Sequence, residues 1–558
     1  MRTNRMNMIQ NRILKILGMV VLTITVSLGT MSFSNSDFQI SKHMEIFANM
    51  LKKLHTNYVD EIKTGELIKT GIDAMLDELD PYTVYIPESK VEDYKLMTTG
   101  SYGGIGSTIQ QRGDYVQIAK IYKGFAAYKA GLKPGDRILK VGDKDVKGKT
   151  TEEVSSLLKG QAGSDVEITI ERYKQETPMT IKLTREKIQL DNIPYFGVLS
   201  DKTGYIKLSG FTPDASEEVK SALMDMRSNN ELNGLILDLR NNGGGLLSEA
   251  VKIVGLFVPK GQVVVETRGK LTAKNKIYRT SSEPVDTTLP LAVLVNGNSA
   301  SASEIVSGAI QDLDRGIIVG ENTFGKGLVQ NILPLSYNTR MKVTVAKYYI
   351  PSGRCIQAVD YSGNNDNQSK QDSLKKVFKT KAGRKVFDGD GIYPDIKIKP
   401  YSYNTISKSL ISKKLIFDYV TKFYYNHDSI TPPGKFEISD KTYKEFSEYL
   451  DMKGFKYQTK TEKQLKQLKE TAKEEQYLST IEEQIAVLKE KLHHDKSQDL
   501  IDFRDEIEKL LKMEITGRYY YRKGEVIAGL EDDKQTLKTI ELLNNSKEYN
   551  KYLKPKAE

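Results

Sequence analysis

LAVLVNGNSASASEIVSGAIQD, residues 291–312, reads as a short apolar strand, Leu291–Val295, then a polar turn, then a helix beginning at Ala302. A buried strand that passes into a helix through a tight turn is the repeating unit of an α/β core. The same alternation extends outward on both sides. Gly234–Leu239, Val263–Thr267 and Gly316–Val319 are further strand-like runs, while Asp214–Met226, Leu246–Leu256 and Ala302–Leu313 carry helical spacing. Residues 186–400 therefore read as one α/β core.

A serine in the 296–301 turn sits at a helix N-terminus, where backbone N–H groups and the macrodipole favour developing negative charge. Ser301-Ala302-Ser303-Glu304 also fits the S-x-x-E capping box, which would make Ser301 a helix cap. Ser299 and Ser303 are equally available hydroxyls. A hydroxyl becomes a nucleophile at neutral pH only with a base. The histidines are His43, His55, His427, His493 and His494, so the core has no imidazole. Lysine remains, if it is desolvated. Moving its pKa from about 10.4 to about 7 disfavours the ammonium by roughly 4–5 kcal/mol, within the range of buried lysines. Lys326 lies in the apolar, glycine-flanked run Phe324-Gly325-Lys326-Gly327-Leu328. If 326–330 is extended, Lys326 and Gln330 share a face, and Gln330 would hold the amine. In LILDLRNNGGG, residues 235–245, a buried-strand pattern ends at Asp238 and turns through glycines. One N–H of that turn, with that of Ala302, would form an oxyanion hole.

Residues 99–185 read as a separate β-rich unit. Tyr115–Ile121, Arg137–Val141 and Val166–Arg172 are strand-like, and one helix spans about Thr151–Lys159. Gly104-Ile105-Gly106 precedes a strand at Ser107–Gln111, and glycines there would let N–H groups converge on a peptide's terminal carboxylate. The peptide backbone would then add as a strand beside 107–111. With AGLKPGDRILKVGDKDV and DVEITIER, the segment resembles a bacterial, protease-associated PDZ domain.

The flanks differ in character. Arg2, Arg5, Arg12 and Lys15 precede an apolar run from Ile16 to Met31, the pattern of a secretory signal peptide or retained membrane anchor over residues 1–34. Residues 35–98 read as a helical region interrupted at Asp80-Pro81. Residues 401–558 read as a Lys/Glu-rich helical extension. Its stripe Leu478, Ile481, Ile485, Leu488 and Leu492 suits helix packing, a short antiparallel pair or a homodimer seam. The single cysteine, Cys355, excludes an internal disulfide and a Cys-based zinc site, and reads as a small half-buried residue in a strand-like run around Tyr348–Ile356. The excess of 83 Lys+Arg over 73 Asp+Glu is too thinly spread for a nucleic-acid surface.

SASASEI and TFGKGLVQ, behind LILDLRNNGGG and a PDZ-like unit, resemble the C-terminal processing peptidases, also called tail-specific proteases, over about residues 40–400. The resemblance implies a multidomain α/β protein with a crotonase/Clp-protease-like α/β spiral core, an inserted PDZ domain and helical ends. It implies Ser301 as nucleophile, Lys326 as general base and Gln330 as its support. Ala302 and either Gly243 or Gly244 would donate to the oxyanion, with no metal and no cofactor. The implied function is cleavage of exported proteins near their C-termini, in the periplasm or at the outer face of the inner membrane. The implied partners are unstructured protein tails, with membrane association through the N-terminus and no nucleic acid. Two rival readings stand beside it. Gly320–Lys326 imitates a P-loop, but Gly327 occupies the position of the magnesium-binding hydroxyl. A PDZ adaptor of the envelope, catalytically inactive, is the alternative function, because fold does not fix activity.

Overall fold

The computed structural model describes residues 35–91, 99–359, 361, 376–491 and 496–555. The signal or anchor expected over 1–34 and Leu492 lie outside them. No helix among the described residues is long and apolar enough to cross a membrane. The chain divides into two units at Pro81–Tyr82.

The first unit carries the helices Asn35–Asn57 and Thr64–Asp77. The expectation of helix through residue 98 fails at Val84–Ile86, which opens the second unit as a strand antiparallel to Arg340–Lys342. Pro81 stops the helical pattern, and Thr83-Val84-Tyr85-Ile86 supplies the β-branched and aromatic residues that fit a pleated surface.

In the second unit the core sheet runs in the order Tyr195–Val198, Thr203–Lys207, Gly234–Asp238, Leu291–Val295, Ile317–Gly320, Ile396–Lys397. Only the first pairing is antiparallel. Parallel strands need both faces covered, and these strands are apolar without alternation. Leu235, Leu237, Val293, Val295 and Ile318 pack with the helices Ala215–Asn229, Leu247–Gly255 and Ala302–Asp312. The opposite face, with Ile236, Ala292, Leu294, Ile317 and Val319, packs on Ile540, Leu542, Leu543 and Tyr549. Those four belong to the last two helices, Lys534–Leu543 and Ser546–Tyr552. The boundary at 400 therefore separates strands from helices without separating cores. The end of the expected extension closes the second face of the sheet.

A second, five-stranded antiparallel sheet joins Val84–Ile86, Arg340–Tyr349, Val263–Gly269 and Lys276–Arg279, with Leu328–Pro334 also paired to Arg340–Tyr349. The strand-like run expected around Tyr348–Ile356 ends at Tyr349. Pro351-Ser352-Gly353 turns the chain, and Cys355, half-buried, makes an isolated bridge to Tyr349.

The PDZ-like unit has a six-stranded sheet whose outer strand is Ser107–Arg112, with the helix Thr151–Leu158 beside it. It closes a little past residue 185, where Glu186–Gln189 pairs with Ser101–Gly104. The C-terminal helices grip this unit. Arg518, almost fully buried on the helix Arg504–Leu530, donates to the Pro134 carbonyl at 3.1 Å and stacks 4.1 Å from the Phe417 ring. Arg112 pairs with Asp418, and Lys120 with Glu525 at 2.6 Å. The Leu478–Lys491 helix packs against Lys460–Glu474 as the short antiparallel pair, through buried Ile485 and Ala472.

Asp238, at the carboxyl end of its strand, ties these layers together. It is 1 % exposed and accepts from the Tyr205 hydroxyl at 2.6 Å and from Arg240 at 2.7 Å, with Lys207 at 3.0 Å. Arg240 in turn pairs with Asp533 at 2.5 Å, docking the last helices. Burial pushes the Asp238 carboxyl up, but the Arg240 and Lys207 charges and the hydrogen bonds from Arg240 and Tyr205 outweigh it and hold it well below the usual range. A carboxyl depressed by folding adds stability above about pH 4 that is lost as pH falls toward its folded value. Urea unfolding should therefore show the wild type losing more stability between about pH 5 and pH 3 than Asp238→Asn. Parallel pH profiles would show that this carboxyl carries no such linkage.

Candidate active site

The 296–301 turn and the 323–327 loop both leave carboxyl ends of core strands, Leu291–Val295 and Ile317–Gly320. That is the edge of an open α/β sheet where ligands bind. The helix starts at Ala302, so Ser301 is the residue before it.

The three serines have different surroundings. Ser299 and Ser303 are both fully buried. Ser299 Oγ donates to the Leu239 carbonyl at 2.8 Å, and Ser303 Oγ to the Asn242 carbonyl at 2.8 Å. Their hydroxyls hold the glycine turn against the helix. Ser301 is half-buried, and its backbone lies at φ 57°, ψ −112°, a conformation rare for a residue with a Cβ and costing roughly 1–3 kcal/mol.

Glu304 holds that backbone. The side-chain carboxylate, fully buried, accepts from four donors. Oε2 takes the N–H of Ser301 at 2.8 Å and of Lys326 at 2.9 Å. Oε1 takes the Thr323 hydroxyl at 2.6 Å and the Gly325 N–H at 2.7 Å. Half of the expected capping box is thus present, and the same carboxylate also binds the lysine loop. Burial pushes the Glu304 carboxyl up, against the pull of these hydrogen bonds. Thr323 Oγ1 accepts in turn from the Ile392 N–H at 2.7 Å, fastening the segment DGDGIYPDI, residues 388–396, to the loop.

Lys326 is half-buried, with Nζ 4.4 Å from the centre of the Tyr82 ring, and Tyr82 packs edge-on against Tyr361. The extended stretch expected from 326 begins at Leu328. Gln330 lies in that strand and donates from its amide to Thr344 Oγ1 at 3.3 Å. Strand geometry after Gly327 also replaces the helix that a P-loop requires.

The glycine turn lies directly against Ser301. Gly244 has φ 101°, and a Cβ on it would stand 2.7 Å from the Ala300 carbonyl oxygen and 2.9 Å from Ser301 Cβ. Its N–H is given to Asn242 Oδ1 at 2.9 Å. The N–H groups of Gly243 and Ala302 have no acceptor among the described residues. Gly104 ends the strand paired with Glu186–Gln189. Ile105 is buried in the PDZ-like core, its carbonyl accepting from the Ala127 N–H at 2.7 Å, and the Gly106 carbonyl accepts from the Tyr122 N–H at 2.9 Å. A cavity of about 1440 Å³ opens between that unit, the helix Arg504–Leu530 and the core strand ends at Lys207 and Arg240. It reaches Asn241 and Asn296, beside the serine turn.

Sequence reading missed Asn242, Tyr348 and Tyr82, and saw Glu304 only as a cap. The S-x-x-E spacing was the available signal for Glu304. Nothing local in the sequence marks the other three, because their partners are far away along the chain.

These features are those of a PDZ-bearing hydrolase with a serine at a helix N-terminus. Residues 202–363 match the family described as Peptidase family S41, residues 117–172 the PDZ domain, and residues 406–543 the family "Probable PDZ-protease, C-terminal helical domain". A carboxy-terminal-processing protease of Bartonella bacilliformis is 35% identical over 331 residues, covering 58% of this chain and 75% of that one. A probable CtpA-like serine protease of Staphylococcus aureus is 32% identical over 393 residues, covering 69% and 77%. The solved photosystem II D1 C-terminal processing protease is 28% identical, covering 63% and 92%, with a TM-score of 0.35. The chain belongs to the C-terminal processing peptidases of family S41 and is a serine-type peptidase with a PDZ domain.

Gln in place of Glu304 would turn an amide N–H toward backbone N–H groups. Urea unfolding of Glu304→Gln should show a loss of roughly 1–3 kcal/mol, against about 1 kcal/mol for Ser303→Ala. Equal losses would show that the carboxylate is not the link between the two segments.

Proposed function

We propose that this peptidase cleaves exported proteins near their C-termini with a Ser301–Lys326 dyad, after its PDZ domain has bound an unstructured tail. The observation that carries the dyad is the shared carboxylate oxygen: Glu304 Oε2 binds the N–H groups of both residues. Of the three candidate hydroxyls, Ser301's belongs to the one serine that is not fully buried.

In this reading the neutral Lys326 amine takes the Ser301 hydroxyl proton as Oγ attacks the scissile carbonyl. The negative charge moves onto the carbonyl oxygen, which accepts from the Ala302 N–H and, of the two glycines, Gly243, since Gly244 has given its N–H to Asn242. The Lys326 ammonium returns the proton to the leaving amine. Water then attacks the acyl ester, again losing its proton to Lys326, and the Lys326 ammonium returns that proton to the departing Ser301 Oγ, releasing the acid product and the free serine. The Tyr82 ring shields one side of the amine from water, while its π face favours the ammonium. Gln330 orients the amine from the neighbouring strand. In the PDZ domain, the Ile105 and Gly106 N–H groups after Gly104 receive the tail carboxylate, and the tail pairs with the outer strand Ser107–Arg112.

The crotonase/Clp-like spiral is the expected family form of the core. Export to the envelope, through residues 1–34, is part of the same reading. So is a homodimer seam on the Leu478–Lys491 helix, where Leu488 is 46% exposed.

Incubating an unfolded protein with the full chain, followed by mass spectrometry of its fragments, should show cuts toward the C-terminus. Ser301→Ala and Lys326→Ala should each lower kcat by about a thousandfold or more. Intact substrate with the wild type would favour the inactive adaptor. Undiminished cutting by Ser301→Ala would assign the nucleophile elsewhere.

A further inference from the structure

We propose that Tyr348 is a positioning residue for the serine and lysine, holding both of their backbone carbonyls on one buried phenol. The inference rests on the dyad reading above and adds to it a group that neither touches substrate nor exchanges a proton with it.

Tyr348 lies in the strand Arg340–Tyr349 and is 1 % exposed. Its N–H donates to the Gly327 carbonyl at 2.9 Å, which fixes its backbone to the lysine loop. The hydroxyl donates to the Ser301 carbonyl at 3.1 Å and also to the Lys326 carbonyl. One acceptor would satisfy a buried hydroxyl. The Ser301 carbonyl needs no such help, because it already accepts from the Glu304 and Ile305 N–H groups at 2.8 and 3.0 Å. Satisfying buried polar groups therefore does not explain why the phenol meets both carbonyls. Fixing their separation does.

The opposite side of the same two residues is held by Glu304 Oε2, which accepts both N–H groups. Ser301 and Lys326 are thus each gripped at N–H by a shared acceptor and at C=O by a shared donor. With both peptide groups fixed, the Cα–Cβ directions of the two residues are fixed relative to each other. The chain itself supplies little of this order. Gly325 and Gly327 flank the lysine and loosen its loop, and Ser301 sits in a strained backbone conformation that relaxes unless held. Burial pushes the phenol pKa upward, so it stays protonated and able to donate through the working range of pH.

The test is Tyr348→Phe in the full chain, assayed on a peptide substrate beside Ser301→Ala. Loss of the hydroxyl should lower kcat about ten- to a hundredfold, the scale of a small misplacement of reacting groups, with KM within about twofold. Phosphonylation of Ser301 by a fluorophosphonate, with fluoride as the leaving group, should slow in proportion. Tyr419→Phe is the control. It removes another buried hydroxyl, bonded to the Thr442 carbonyl at 2.9 Å in the C-terminal helices, and should leave kcat unchanged. Replacing Tyr348 by 4-aminophenylalanine keeps a donor on the ring and should hold kcat within about threefold of the wild type. That comparison also stands if the Phe variant does not fold. A folded Tyr348→Phe with wild-type kcat, or a folded amino variant that has lost kcat tenfold, overturns the proposal. Full activity in Ser301→Ala would instead overturn the dyad, whatever Tyr348 does.

Discussion

The candidate site depends on one carboxylate in the dry core. Glu304 lies in the first turn of a helix, and only one of its four donors, Ser301, adjoins that helix: Thr323, Gly325 and Lys326 come from the loop after the neighbouring strand. A buried carboxylate without partners is among the costliest groups a fold can hold. The fold therefore keeps it only while the loop stays closed over it. This makes the lysine loop part of the helix N-terminus rather than a free connection, although its sequence is rich in glycine. The strain at Ser301 persists for the same reason. Its N–H is the fourth donor, and relaxing the backbone would withdraw it from the carboxylate.

The sheet beneath the site imposes a second constraint. Strands such as Leu235–Asp238 and Leu291–Val295 are buried on both faces, so the core is incomplete until something covers the face opposite the Ser301 helix. The last two helices do this, and the Tyr549 hydroxyl seals the join by both donating to and accepting from the Leu291 backbone at 3.0 Å. The strand that leads into the serine turn is thus supported by the far end of the chain. Between these ends, the helix Arg504–Leu530 meets the PDZ domain through Arg518. The C-terminal region serves two structural purposes: one segment holds the PDZ domain and another completes the peptidase core.

Local elements were legible in the sequence because periodicity and turn chemistry are local. Leu291–Val295, Tyr115–Ile121 and Arg137–Val141 fall where their apolar runs predict, and the Thr151 helix begins at the predicted residue with a Thr150–Glu153 capping box. The misreadings share a physical cause. Val84–Ile86 is too short to show a period, and its strand character comes from pairing with residues 340–342, far along the chain. The Lys534–Leu543 helix looks like any amphipathic helix, and nothing in it says which sheet its apolar face will cover. In the site, serine, lysine and the glycine turn were legible as residue types next to helix and strand ends. Asn242, Tyr348 and Tyr82 were not, because their importance lies in the partners that folding brings to them.

Buried polar groups at this site act on the backbone more than on side chains. Asn242 shows the pattern most fully. Its side chain takes the Gly244 N–H and donates to the Leu208 carbonyl, while its own carbonyl accepts from Ser303 Oγ and the Ala300 N–H. The glycine turn and the serine turn are therefore set against each other by an amide that reaches no substrate. Gly244 then becomes a steric requirement, since a Cβ there would strike the Ala300 carbonyl. With Gly244 committed to Asn242, the N–H groups of Gly243 and Ala302, which have no acceptor among the described residues, lie on two turns whose separation the same asparagine fixes. A developing negative charge needs donors that are already oriented before it appears. On the proposed mechanism, holding the peptide groups and leaving the Ser301 and Lys326 side chains to project from them is how this fold meets that need with glycine-rich loops.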